Sequence, residues 1–344
     1  MAISIIFLAL YFWGYSALLG NVEEADIAAA IIGMTENIGF VGEIGRAALL
    51  YPLNTAIFML VGAAIALGAY LLVSAFYFSI ITSNHSASRS SYKKKKLRKS
   101  SSVASLVRKE FSKIASSATY MLNCGIGVAF LAAVAVLVVI KKDLLMELVG
   151  ILPMLVEGAD TNASVALTAS VIMLFISSMI TFSACALSLE GDSLWIIRSM
   201  PLRSRDILIS KAIPHIIIVA PISLIASCVM SLSLGLDALS SILLILVPLL
   251  GVILSAILGV VLNVAIPKFK FNNEVEVIKQ SASVFLTMLS MMIVSFAGLG
   301  LAVLGVIYSL EVLMHALLLI LLAVLSAASY FILTTACERR LESL

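Results

Sequence analysis

The forty residues SSVASLVRKEFSKIASSATYMLNCGIGVAFLAAVAVLVVI, 101 to 140, decide what kind of fold this is. From Ile114 to its end the stretch runs for more than twenty residues without a charged side chain. A hydrocarbon core of about 30 Å asks for roughly 20 such residues as a helix, because unpaired backbone groups in lipid cost several kcal/mol each. The first half is different. Val103, Leu106, Val107, Phe111 and Ile114 share one face of a 3.6-residue period, and Arg108, Lys109, Ser112 and Lys113 share the other. That pattern describes a helix lying in the membrane interface and leading directly into a span. Glu110 breaks it by projecting from the middle of the apolar face, where it requires a basic side chain or exposed helix N–H groups as a partner.

The rest of the chain repeats the apolar theme. At 62% hydrophobic and 12% charged residues, it lies far from soluble proteins, in which about a quarter of residues are charged. Eight stretches are long and apolar enough to span: residues 3–19, 55–82, 120–140, 164–187, 212–234, 239–266, 283–307 and 313–336. Ten-residue blocks of period-2 alternation are missing, so the reading is an all-α integral membrane protein with about eight transmembrane helices rather than a barrel. Residues 1–18 carry no basic side chain and no small-residue cleavage site follows them, which argues against a cleaved signal peptide.

Lys and Arg set the expected orientation. With residues 83–119 in the cytoplasm, the inner segments hold 19 of the 22 basic residues, and the outer loops hold only Arg46, Lys141 and Lys142. Both termini are then cytoplasmic and the chain is a multi-pass plasma-membrane protein. The linker SNHSASRSSYKKKKLRKSSSVASLVRKEF, residues 83–111, is Ser-rich, then densely basic, then periodic. It reads as a tether against anionic headgroups, at about 1 kcal/mol per basic residue near the surface. Nucleic acid is not an expected partner, since only Tyr92 interleaves with the basic run.

The same division leaves no Asp, Glu, Lys or Arg within a span. Ion-coupled carriers and voltage sensors place charges there, so energy for any transport is expected from elsewhere. Cys124, Cys185, Cys228 and Cys337 lie in or beside spans without metal-ligand spacing and read as packing residues. His85, His215 and His315 are scattered. No GxSxG, HExxH or phosphate-cradling GxxxxGK[ST] occurs, so neither an enzyme activity nor a cofactor or metal is expected. Within the spans, Ser170, Ser177, Ser178 and Thr181 recur near helical spacing, as helix contacts or as a polar lining.

Two charged loops remain. SLEGDSLWIIRSMPLRSRDILISK, 188–211, places seven charged residues and a Trp between two apolar runs. Leu189, Leu194, Trp195 and Ile197 offer apolar anchors, while Glu190, Asp192, Arg198, Arg203 and Arg205 can set register with a partner. In PKFKFNNEVEVIKQ, 267–280, Asn272 or Asn273 is expected to cap a short helix carrying Glu274 and Glu276 in its first turn and Lys279 near its end.

The elbow SLVRKEFSKIASSATYMLNCGIG, with Arg108, Lys109, Glu110 and Phe111, six spans after it, and the loop SACALSLEGDSLWIIRSMPLRSRDILISK resemble a type-2 ABC exporter permease. NVAIPKFKFNNEVEVIKQSASV is similar to a bacterial subgroup of large two-halved permeases in that class. The resemblance implies a permease subunit with a separate ABC ATPase and a second permease half or protomer. It also implies that the loop with Glu190, Leu194, Trp195, Arg198, Arg203 and Arg205 docks on the ATPase, with Glu274, Glu276 and Lys279 beside it. The expected organisation is residues 1–82 as two spans left over from a preceding half, 83–119 as linker and elbow, and 120–344 as the six-span unit. A non-transporting scaffold or sensor subunit is the alternative from another class, and a secondary carrier comes third.

Overall fold

The computed structural model describes residues 101–140 and 161–343, together with eight helical positions between 60 and 74. The chain divides into two compact units, Met1–Lys96 and Leu97–Leu344. In the first, the described positions are helical and Leu60, Leu67, Tyr70 and Leu71 are exposed. The two expected N-terminal spans and the basic linker otherwise lie outside the described residues, as does the loop 141–160.

The second unit is all α-helical among its described residues, as expected of an all-α membrane protein. Helix α1 (Ser102–Ser116) is followed by α2 (Ala118–Ile140), α3 (Thr161–Ser178), the single turn α4 (Phe182–Cys185), a 3-10 segment (Ser188–Ser193) and α5 (Leu194–Ser199). Then come α6 (Ser204–Leu234), α7 (Ala238–Ala265), α8 (Glu274–Gln280), α9 (Ala282–Tyr308), α10 (Glu311–Thr334) and α11 (Ala336–Ser343). Six of the described segments are long and apolar enough to cross a membrane: α2, α3 with its continuation, α6, α7, α9 and α10. Of these, α3 and α7 are the most buried and α2 the least. The bundle is therefore built on a central α3–α7 pair with the other spans around it.

Local signals place the helix starts. Ser101 accepts from Ala104 N at 3.3 Å to cap α1, Asp237 accepts from Leu239 and Ser240 to cap α7, and Ser281 accepts from Val284 N to cap α9. Asn273, one of the two expected caps, accepts from Val275 N at 3.1 Å at the head of α8.

Two expectations about the fourth and fifth spans are corrected. Residues 164–187 are not one helix. The α-helical ladder stops at Ser178, and Met179 and Ile180 make only short-range bonds to the Ile176 and Ser177 carbonyls before α4 begins. Ser170, Ser177 and Ser178 each donate to the carbonyl three residues back, a bond that competes with the backbone ladder and bends helices. Their hydroxyls are thereby bonded to α3's own carbonyls. Conversely, α6 starts at Ser204, so residues 204–211 of the supposed loop are helix.

Close approach between α7 and α4 depends on Gly259. A β-carbon there would meet the Ser183 hydroxyl and stand 3.0 Å from Ala184 N. Because one of those neighbours is backbone, Gly259→Ala is expected to push the two helices apart and cost about 1–3 kcal/mol. The check is the thermal unfolding temperature of the detergent-purified protein, which should fall clearly; an unchanged value would contradict the contact.

Candidate functional site: a charged joint at the basic end

Helix α1, the loops after α4 and α7, and α11 gather at one end of the bundle, which carries the described Lys and Arg side chains and is called the basic end below. Here α1 buries Leu106, Glu110 and Ile114, half-buries Phe111 and leaves Arg108 and Lys109 exposed. The anomalous Glu110 finds the basic partner its position demands: Lys211 Nζ lies 2.6 Å from its Oε1. Lys211 belongs to α6 and is itself 2% exposed. Its ammonium also bonds Glu190, in the 3-10 segment. Glu190 in turn receives Lys109 at 2.9 Å and Lys113 at 3.4 Å, both from α1.

Five charged groups thus join three pieces of chain: α1, the loop and the first turns of α6. Each buried carboxylate has an ammonium partner, the condition under which a buried charge is tolerable. Burial, reinforced by the nearby Lys211 ammonium, lowers the pKa of Lys113.

A second, uncharged joint lies beside the first. Asn263, near the end of α7, accepts from Leu187 N at 2.8 Å and Ser188 N at 3.0 Å, and donates to Ser188 Oγ at 2.7 Å and Ser283 Oγ at 3.0 Å. Ser283 passes the chain on to the Ala184 carbonyl at 2.9 Å. One buried amide therefore uses two acceptor and two donor positions to fasten the loop's first residues to α7 and α9. Lys268 N reaches Ser188 Oγ at 3.0 Å and ties the next loop to the same point. Gly191 completes the turn with φ 51°, and Phe271 lies 3.2 Å from where a β-carbon would stand.

The loop is thereby presented outward. Leu189, Leu194 and Ile197 are buried against the bundle, whereas Trp195 is 68% exposed and Ile196 and Met200 are also exposed. Arg198 donates to the Glu342 carbonyl of α11 at 2.6 Å, and Arg205 hydrogen-bonds Tyr330 of α10 while lying 5.7 Å from its ring centroid. Arg203 is exposed. In the neighbouring loop, Glu274 accepts from Ser117 between α1 and α2, Glu276 pairs with Lys268 at 3.3 Å, and Lys279 is exposed. α11 braces the assembly, because Arg340 donates to the Val264 and Ala265 carbonyls at the end of α7.

The expected elbow and both expected loops thus converge. Of the apolar anchors read in the loop, Trp195 faces outward and Leu194 inward, and Glu190 is an interior group. Sequence reasoning passed over Lys211 and Asn263. The signal for Asn263 was present, a lone amide in the apolar run VVLNVAI just ahead of Pro267.

A family model described as a membrane protein of 12 TMs matches residues 135–334, more than half of the chain. The chain belongs to that family. The match runs from α2 into α10, so this 12-TM-family protein carries within the matched stretch Glu190, Lys211, Asn263 and the outward Trp195, while α1 and α11 lie outside it. No curated protein and no solved structure matches the chain. Among the described residues no cluster of three or more His, Cys, Asp and Glu is placed to hold a metal.

Proposed function

We propose that this 12-TM-family protein is the membrane-spanning permease subunit of an ATP-driven exporter of the type-2 ABC class, working with a separate ATPase. The observation that carries the reading is the loop 188–200. It is a short helix anchored on its inner side by Leu194, Ile197 and two buried polar joints, with an unpartnered Trp195–Ile196–Met200 surface outside. Such an element moves as one piece with α1 and α6, so a displacement applied at Trp195 reaches the bundle without being absorbed by a flexible loop. In this reading the basic end faces the cytoplasm, and a second six-span half or protomer completes the permease; the family's twelve spans support this.

Trp is a favoured interface anchor whose truncation costs about 2 kcal/mol or more, some thirtyfold in affinity. Trp195→Ala, and separately Ile196→Ser, are expected to weaken binding of the ATPase that the reconstituted chain stimulates by that factor, and to abolish the stimulation. Permease content of the membrane should not change. Arg198→Glu is a less clean probe, because it also releases α11 from the loop. Parent-like binding and hydrolysis in both Trp195→Ala and Ile196→Ser would remove the coupling role and favour a scaffold.

A further inference from the structure

Every fourth residue of α6 from 211 to 231 is buried: Lys211, His215, Val219, Ser223, Ser227 and Ser231. Residues so spaced are neighbours along one line of a helix. The two ends of the line are bonded, Lys211 in the charged joint and Ser231 to the Ser241 hydroxyl of α7 at 2.6 Å. Its middle is not. Both ring nitrogens of His215 and the hydroxyls of Ser223 and Ser227 have no hydrogen-bond partner among the described residues, although all three residues are 0% exposed. The Ser255 hydroxyl of α7 is in the same condition. The short turn between α6 and α7 makes the two helices antiparallel and sets Ser255 at about the depth of His215. We infer that water molecules are bound inside the bundle along this line, one bridging Ser223 to Ser227 and another held by His215.

Buried polar groups in folded proteins are almost always bonded, to protein or to ordered water. Other hydroxyls in the spans meet this need from their own helix: Ser170, Ser177, Ser295 and Ser326 each donate to a carbonyl three or four residues back. Ser223 and Ser227 do not, so their partner lies outside the helix. In the turn before His215, the buried Pro214 supplies no N–H to the Ser210 carbonyl, which adds an acceptor there. The chemistry identifies the ligand. Among the described residues the line carries no unpaired charge, because the Lys211 ammonium is taken by Glu110 and Glu190. An ion bound here would be without a counter-charge. Imidazole and hydroxyl both donate and accept, so they suit a small neutral molecule that does the same, and water is that molecule. The spacing agrees. Side chains one turn apart stand about 5–6 Å from each other, the reach of one water making two bonds of about 2.8 Å. His215 lies about 12 Å below Ser223 along the axis, beyond such a bridge, and requires a water of its own. Water satisfies this face of α6 without fastening it to another helix, unlike the two joints at the basic end.

The test uses the full chain in phosphatidylcholine bilayers, exposed to brief X-ray pulses that split water into hydroxyl radicals where the water stands. Oxygen added to each side chain is then measured by mass spectrometry. Met230, three residues from Ser227 on the same helix, reports on the serine pair, and His215 reports on itself. Met291 of α9 is the reference, since it is as buried as they are and the nearby Ser295 hydroxyl is bonded within its own helix. Met230 and His215 are expected to gain oxygen at least fivefold faster than Met291. In Ser223→Ala combined with Ser227→Ala, the rate at Met230 should fall to the Met291 level while His215 keeps its own. Ser227→Ala alone provides the same comparison if the double variant does not fold. Rates at Met230 and His215 no faster than at Met291 would show the line to be dry. An unchanged rate at Met230 in the variant would show that radicals arrive through opening of the bundle. Either result overturns the inference.

Discussion

Lys211→Met is expected to lower the stability of the detergent-purified protein by about 3–5 kcal/mol, the cost of removing one partner from a buried ion pair. At the scale of a 150–250-residue domain this is a fall in unfolding temperature of the order of 10 °C. The loss arises because the Glu110 carboxyl is left in a buried site with its 2.6 Å partner gone, while Glu190 retains Lys109 and Lys113. Two companions separate this cause from simple misfit. Lys211→Arg retains the charge and should lose far less. Glu110→Leu combined with Lys211→Met removes the stranded carboxylate together with its partner and should recover more than half of the loss. A single Lys211→Met that unfolds at the parent temperature would show that the charged joint holds nothing together.

Asn263→Leu attacks the second joint and is expected to be nearly as severe. It leaves the Leu187 and Ser188 N–H groups buried without acceptors, at about 1–3 kcal/mol each, and also strips a donor from the Ser188 and Ser283 hydroxyls. The effect should be local as well as global. With its first residues unfastened, the loop should be cut by trypsin at Arg198, Arg203 and Arg205 faster than in the parent. Those bonds should still lag in Asn263→Asp, which preserves both acceptor contacts. Identical digestion rates for Asn263→Leu and the parent would show that the amide does not hold the loop.

The spans and the interfacial helix were legible because they depend on one-dimensional patterns: charge-free runs of sufficient length and a 3.6-residue alternation. The anomaly at Glu110 was legible for the same reason, since a carboxylate on an apolar face has to be neutralised somewhere. Its partner was not. Lys211 lies 101 residues along the chain and, counted among loop charges, looked like one more positive residue at a membrane boundary. The helix break after Ser178 was equally hidden, because Met179, Ile180 and Thr181 are as apolar or small as the span around them, and hydropathy does not register a ladder that stops. The 188–211 loop was read as more irregular than it is. Glu190 reads in the sequence as a group that sets register with a partner, whereas Glu190 and Lys211 turn inward and α6 has already begun at Ser204.

The separation between Glu110 and Lys211 has a consequence for biosynthesis. Glu110 leaves the ribosome 101 residues before the ammonium that neutralises it. At roughly 5–20 residues per second, that is a wait of about 5–20 s. Throughout that interval the carboxylate is affordable only while it stays hydrated, so α1 has to remain at the water-facing surface of the membrane instead of settling into its final seat. Arrival of α6 supplies Lys211 and lets α1 and the newly made loop close around it together. The buried pair thus ties the final seat of the elbow to a helix made 101 residues later in the chain.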